Sequence, residues 1–202
     1  MRLEARDLGF CYHRKASKPV LHGVDLALET GQRVGLTAPS GRGKTTLCKL
    51  LSGYEAPDQG QVLLDGRPLS RYRGFCPVQM IWQHPETVVD PLLPLGETLR
   101  EAGAVSEEVL RGLHIEPGWL DRYPTELSGG ELQRFCIARA LHPAVRFLLC
   151  DEITAMLDLI AQAQIWAFLL DQAARRDLGL LIVSHDGPLL DRLCTRSVTL
   201  EA

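Results

Sequence analysis

No stretch of this sequence approaches the roughly 20 consecutive apolar residues needed to cross a bilayer, and no secretory leader is read at Met1. Any role at a membrane is therefore expected to run through a partner. No basic run is longer than the pair Arg175-Arg176, and 22 Lys and Arg against 25 Asp and Glu leave a formal net charge of −3, so nucleic acid is not an expected partner. The six cysteines, at 11, 48, 76, 136, 150 and 194, include no C-x-x-C pair. Several sit in apolar runs such as Phe147-Leu148-Leu149-Cys150, which suits reduced core residues of a cytosolic protein. What remains is a chain of 202 residues with 46% hydrophobic content, enough for one domain or one core with a small appended subdomain.

The most informative stretch is Ala38-Pro39-Ser40-Gly41-Arg42-Gly43-Lys44-Thr45-Thr46. It follows a short apolar strand, Arg33 to Thr37, and runs into an apolar helix at Leu47 to Leu51, the context that a phosphate-binding loop requires. Small residues let successive backbone N–H groups turn around an anion, and the helix N-terminus adds the positive end of its dipole. Lys44 supplies a point charge for the outer phosphates, and Thr45 is placed to ligate Mg²⁺. The usual pattern G-x-x-x-x-G-K-[ST] begins with glycine where this chain has Ala38. If the loop needs a left-handed backbone there, alanine costs roughly 1 to 2 kcal/mol.

The N-terminal region alternates like strands at Leu3 to Arg6 and again from Val20 to Leu28, after a polar loop. Between them, Phe10 and Tyr12 either pack the sheet or offer a ring for stacking on adenine, and Tyr12 is the better placed of the two. Gln61 to Leu64 followed by Asp65-Gly66 reads as a strand and tight hairpin turn, and Val78 to Trp82 as a buried strand. Gln83 at its end is either a loop residue or an amide reaching a metal ion or an attacking water at the C-terminal edge of an open α/β sheet.

Beyond His84 the chain turns proline-rich and then helical, and residues 84–142 read as a helical subdomain inserted between two strands of the core, which comprises 1–83 and 143–202. Within it, Ser128-Gly129-Gly130-Glu131 opens a helix in the pattern of a capping box, either as a plain cap or as a close approach for a phosphate. The apolar run Arg146 to Cys150 ends in Asp151-Glu152, a surface turn or a pair with a use. Beside a phosphate loop, Asp151 suits the Mg²⁺ shell and Glu152 suits polarising a water for in-line attack. Leu180 to Ser184 is a further buried strand, capped by His185, a candidate contact to the γ-phosphate.

Taken together, these residues resemble the ATP-binding subunits of ATP-binding cassette (ABC) transporters along essentially the whole chain. The order Tyr12, Gly43-Lys44-Thr45-Thr46, Gln83, Leu127-Ser128-Gly129-Gly130, Asp151-Glu152, Leu157-Asp158 and His185 carries the resemblance. It implies an α/β P-loop NTPase fold with a mostly parallel core sheet, an N-terminal antiparallel β portion and a helical subdomain. It also implies ATP and Mg²⁺ as cofactors, with Tyr12 on adenine and the loop amides and Lys44 on the phosphates. Thr45, Gln83 and Asp151 would then serve the metal, Glu152 as general base and His185 as γ-phosphate sensor. Ser128, Gly129 and Gly130 would face nucleotide held by a second ATPase subunit, head to tail, with Asp158 at the seam. Within the family, the segments Asp90-Pro91 to Leu99 and Asp158 to Ile165 look most like importers of dipeptides, oligopeptides and nickel. The implied partners are permease subunits in the membrane, a second ATPase and, indirectly, an extracytoplasmic solute-binding protein, with this chain on the cytoplasmic face. Export, or a soluble non-transport role, is the alternative. Ile153, where proline commonly stands, and Met156, where a small residue does, depart from the family's pattern.

Overall fold

A computed structural model describes residues 1–12, 19–103 and 105–200. The polar loop expected after Tyr12 lies for the most part outside the described residues. In chain order the strands and helices begin with β1 (Arg2–Phe10), β2 (Leu21–Glu29), β3 (Arg33–Thr37), α1 (Lys44–Ser52), β4 (Gln59–Leu64), β5 (Arg67–Pro68) and β6 (Val78–Ile81). The helices α2 (Leu95–Glu101), α3 (Glu107–Gly112) and α4 (Gly129–Ala140) follow, and no strand falls between 84 and 142 among the described residues. The chain continues through β7 (Phe147–Asp151), α5 (Leu159–Arg176), β8 (Gly179–Val183), α6 (Gly187–Leu193) and β9 (Arg196–Thr199).

Two sheets form. One is antiparallel, in the order β2-β1-β4-β5, and the other is parallel, in the order β6-β7-β8-β3-β9. The expected hairpin turn is present: Asp65 and Gly66 have φ of 49° and 76°, the double left-handed pair that joins two twisted strands through two residues. β7 and β8 are buried at every position, as continuous apolar strands covered on both faces must be.

Because side chains alternate across a strand, the parallel sheet divides the apolar interior. Leu148 and Cys150 of β7, with Leu180 and Ile182 of β8, face a cluster built from α2 to α6. Phe147, Leu149, Leu181 and Val183 face a second cluster, shared with α1 and the antiparallel sheet. Of the six cysteines, Cys48, Cys136 and Cys150 are buried. No helix among the described residues is long and apolar enough to cross a membrane.

Candidate functional site

The C-terminal ends of four parallel strands, β3, β6, β7 and β8, bring the central residues together, at the edge where open α/β sheets hold their ligands. The loop after β3 turns on two glycines, Gly41 (φ 76°) and Gly43 (φ 84°). At Gly43 a Cβ would lie 2.7 Å from Leu21 Cδ2, so this glycine is required both by backbone and by space. Ala38 is not among the left-handed residues, and it packs half-buried against the second cluster. The conditional cost of alanine in the first position of the loop therefore does not arise, because that position never asks for glycine's conformational freedom. Pro39, Ser40, Gly41 and Arg42 form an exposed lip.

Lys44 is only 6% exposed; its Nζ donates to the carbonyls of Ala38 (2.9 Å) and Pro39 (3.4 Å). These contacts hold the ammonium beneath the loop. Thr45 Oγ1 donates to Asp151 Oδ2 at 2.6 Å, joining the first turn of α1 to the end of β7. Asp151 is 2% exposed, so the reading of a surface turn fails. Burial pushes its carboxyl above the usual aspartate range, with the Glu152 charge adding to the rise, while the Thr45 hydroxyl and the Lys44 and Lys49 charges hold it down.

Glu152 follows with φ of 52°, an uncommon backbone for a residue of its type, fixed by its N–H donating to the Val183 carbonyl at 3.1 Å. The Glu152 carboxylate meets two partners. Gln83 Nε2 donates to Oε2 at 3.1 Å, and His185 Nε2 lies 2.8 Å from Oε1. The same imidazole nitrogen is 3.4 Å from Lys44 Nζ. One nitrogen cannot donate to the carboxylate and accept from the ammonium at once, and the shorter contact assigns its hydrogen to Glu152.

Of the two aromatic candidates, Phe10 is 7% exposed and belongs to the sheet core. Tyr12 stands outside at 47%, edge-on to Phe10 with centroids 4.9 Å apart, and its hydroxyl lies 3.1 Å from Thr46 Oγ1 beside the loop. Ser128, Gly129, Gly130 and Asp158 form a second group. Ser128 caps α4 in a full capping box with Glu131, whose carboxyl is lowered by the hydrogen bonds from Ser128. Asp158 caps α5 through the N–H groups of Ile160 and Ala161. These two caps adjoin: a Cβ on Gly130 would meet Leu157 Cδ2 at 2.7 Å. Among the described residues no hydrogen bond joins this second group to the loop, Gln83, Glu152 or His185.

Several contributors carry no sequence signal. Thr154 is buried and accepts from Gln162 Nε2 (3.0 Å) and Trp166 Nε1 (3.1 Å), pinning the turns that lead from Glu152 to Asp158. Lys49 Nζ lies 5.9 Å from the Tyr12 ring centre and 5.3 Å from that of Trp82, and Tyr54 abuts Trp82 edge-on. A cleft of about 790 Å³ opens beside the site, with Thr45, Lys49, Trp82, Gln83, Arg139 and Asp151 in its walls.

A loop built for phosphate, a buried carboxylate tied to its threonine and a second carboxylate held by an amide and an imidazole define a P-loop nucleoside triphosphatase. An ABC transporter family model matches residues 21–155, and the chain belongs to that family, as an ATP-hydrolysing subunit. It is 37% identical to the nickel import ATP-binding protein NikE of Rhodospirillum rubrum over 206 residues, covering 93% of this chain and 74% of that one. Against the protein of the same name from Escherichia coli (strain K12) the identity is 34% over 200 residues, covering 90% and 75%. Among solved structures, an ATP-binding subunit of an ABC transporter superposes with a TM-score of 0.84 at 26% identity, covering 100% of this chain and 86% of that one. A dimeric, post-hydrolysis structure of the cassette MJ0796 bound to ADP and Pi shares the fold, with a TM-score of 0.86 at 24% identity, covering 98% and 94%.

Proposed function

We propose that this chain powers import of nickel, as the ion or a chelate, across the cytoplasmic membrane, from the cytoplasmic face and through permease subunits that it does not itself contain. Peptides are the neighbouring cargo class. The observation that carries the cargo reading is the 37% identity to a nickel import ATP-binding protein over 93% of the chain. A second ATPase would complete each site, with Ser128, Gly129 and Gly130 reaching nucleotide held by the facing subunit and Asp158 at the seam. In this reading residues 84–142 act as the helical subdomain, and an extracytoplasmic solute-binding protein delivers the cargo.

The placement of the residues supports a role for each. Tyr12 stacks on the base, the backbone N–H groups from Ser40 to Thr46 wrap the phosphates with Pro39 shaping the turn, and Lys44 turns from the loop carbonyls to the outer phosphate oxygens. Glu152 takes a proton from the attacking water, while Gln83 and His185 hold its two oxygens and so fix its orientation. Mg²⁺ suits the donors present: a hydroxyl, a buried carboxylate and an amide from Thr45, Asp151 and Gln83 are hard oxygen ligands, and the described residues hold no cluster of three His, Cys, Asp or Glu that would claim a metal without nucleotide. That ion would neutralise charge on the transferring phosphoryl group.

The test is affinity capture of the chain from detergent-solubilised membranes, followed by nickel-stimulated ATP turnover in the recovered assembly. Two permease subunits, a second ATPase and turnover that rises with nickel-loaded binding protein are the expected result. Recovery without any membrane subunit would overturn the transport reading; turnover that answers to peptides alone would overturn nickel.

A further inference from the structure

The contacts between α4 and the segment that carries Gln83 form a pattern of their own. Three side chains of α4, spaced three residues apart, each donate to one backbone carbonyl of that segment. Gln133 Nε2 reaches Trp82 at 3.1 Å, Cys136 Sγ reaches Pro85 at 3.8 Å and Arg139 Nη1 reaches Val88 at 2.6 Å. The accepting carbonyls are three residues apart as well, in step with the single 3₁₀ turn at Pro85–Thr87. Burial pushes the Cys136 thiol up to about 12, so it keeps its hydrogen to donate. Arg139 also lies 3.6 Å from Glu101 of α2, which ties a third element into the same joint.

One residue of this joint is incompletely satisfied. Gln133 is 3% exposed and its Oε1 has no donor among the described residues, whereas buried acceptors are normally paired. Trp82, whose carbonyl Gln133 holds, immediately precedes Gln83, whose amide in turn holds Glu152.

We propose that Gln133 and Arg139 are positioning residues for hydrolysis: with Cys136 they fasten α4 to residues 82–88, so that the tip Ser128–Gly130 and the amide of Gln83 move as one body. Seating the tip then sets the orientation of Glu152 through Gln83, at a distance from the tip itself. This rests on the reading that Ser128 and Gly130 contact nucleotide across the subunit seam.

The experiment uses the full chain in its recovered assembly, with hydrogen exchange followed by mass spectrometry on peptides from 82–89 and 129–140, with and without ATP and Mg²⁺. In the wild type, nucleotide protects both segments together. In Gln133→Leu combined with Arg139→Met, α4 alone responds, kcat falls at least tenfold and KM stays within about twofold; Arg139→Lys, which keeps a donor, retains at least half of the wild-type kcat. Independent protection of the two segments in the wild type refutes the joint without recourse to any variant. So does a double variant with wild-type kcat, provided that Ser128→Arg is inactive. A fully active Ser128→Arg instead overturns the reading of the seam, and the proposal with it.

Discussion

Restoring glycine at Ala38 tests whether the loop's departure from its usual pattern costs anything. The substitution removes one half-buried methyl group, about 0.4 kcal/mol at roughly 0.8 kcal/mol per fully buried carbon. It also adds the chain entropy of glycine, about 0.5 to 1 kcal/mol. Because Ala38 has no left-handed backbone to relieve, nothing offsets these two losses. The sum, about 1 to 1.5 kcal/mol, lowers Tm by roughly 2 to 6 °C in a chain of this size. Nucleotide affinity, measured by titration with a fluorescent ATP analogue, stays within about twofold, since neither loss depends on the bound phosphate. Relief of a strain of about 1 to 2 kcal/mol in the bound state would instead tighten binding roughly 5- to 30-fold. Affinity raised fivefold or more, with Tm unchanged or higher, refutes the reasoning.

Three further outcomes follow from the site. Tyr12→Ala weakens ATP by about 1 to 3 kcal/mol if its exposed ring stacks on the base; an unchanged dissociation constant in calorimetry returns Tyr12 to a purely packing role. Glu152→Gln keeps ATP binding and loses at least about 100-fold in turnover, as removal of a general base does, and light scattering with ATP and Mg²⁺ detects a persistent two-ATPase assembly; normal turnover would sink the assignment. Asp151→Asn abolishes turnover yet stabilises the fold at neutral pH, because the folded state holds this carboxyl above its ordinary range. The stability Asp151 contributes is fully present below the unfolded carboxylate pKa and is lost as pH rises through the raised folded value. The gain from Asn, followed by thermal melts from pH 3 to 8, therefore grows across that window and vanishes at its acid end; a gain independent of pH contradicts it.

The chemistry was legible in the sequence where a single segment carries its own context. A fully apolar strand ending in Asp151-Glu152, and a glycine loop between strand and helix, each declare themselves within ten residues. The consequence of Ala38 was not legible, because a backbone angle is fixed by the closed loop and not by the identity of one residue. Nor was the placement of Lys49, which depends on Tyr12 and Trp82 following strands of two different sheets. The contacts of α4 were hidden for a related reason: Gln133 and Trp82 are 51 positions apart, and no local period links a helix face to carbonyls of an irregular segment. Thr154 reads as an ordinary small residue until Trp166, about two turns along α5, is seen to need its oxygen.

The parallel sheet's division of the interior has a bearing on how such a chain tolerates change. Leu148 and Leu149 share a peptide bond, yet one packs with the helical side and the other with the phosphate side. Substitutions on opposite faces and well separated along the sheet are expected to add in free energy, whereas pairs in contact within one cluster couple. A lineage can accumulate compensating changes among α2, α4 and α5 to suit a new partner while the residues beneath the phosphate loop drift under a separate constraint.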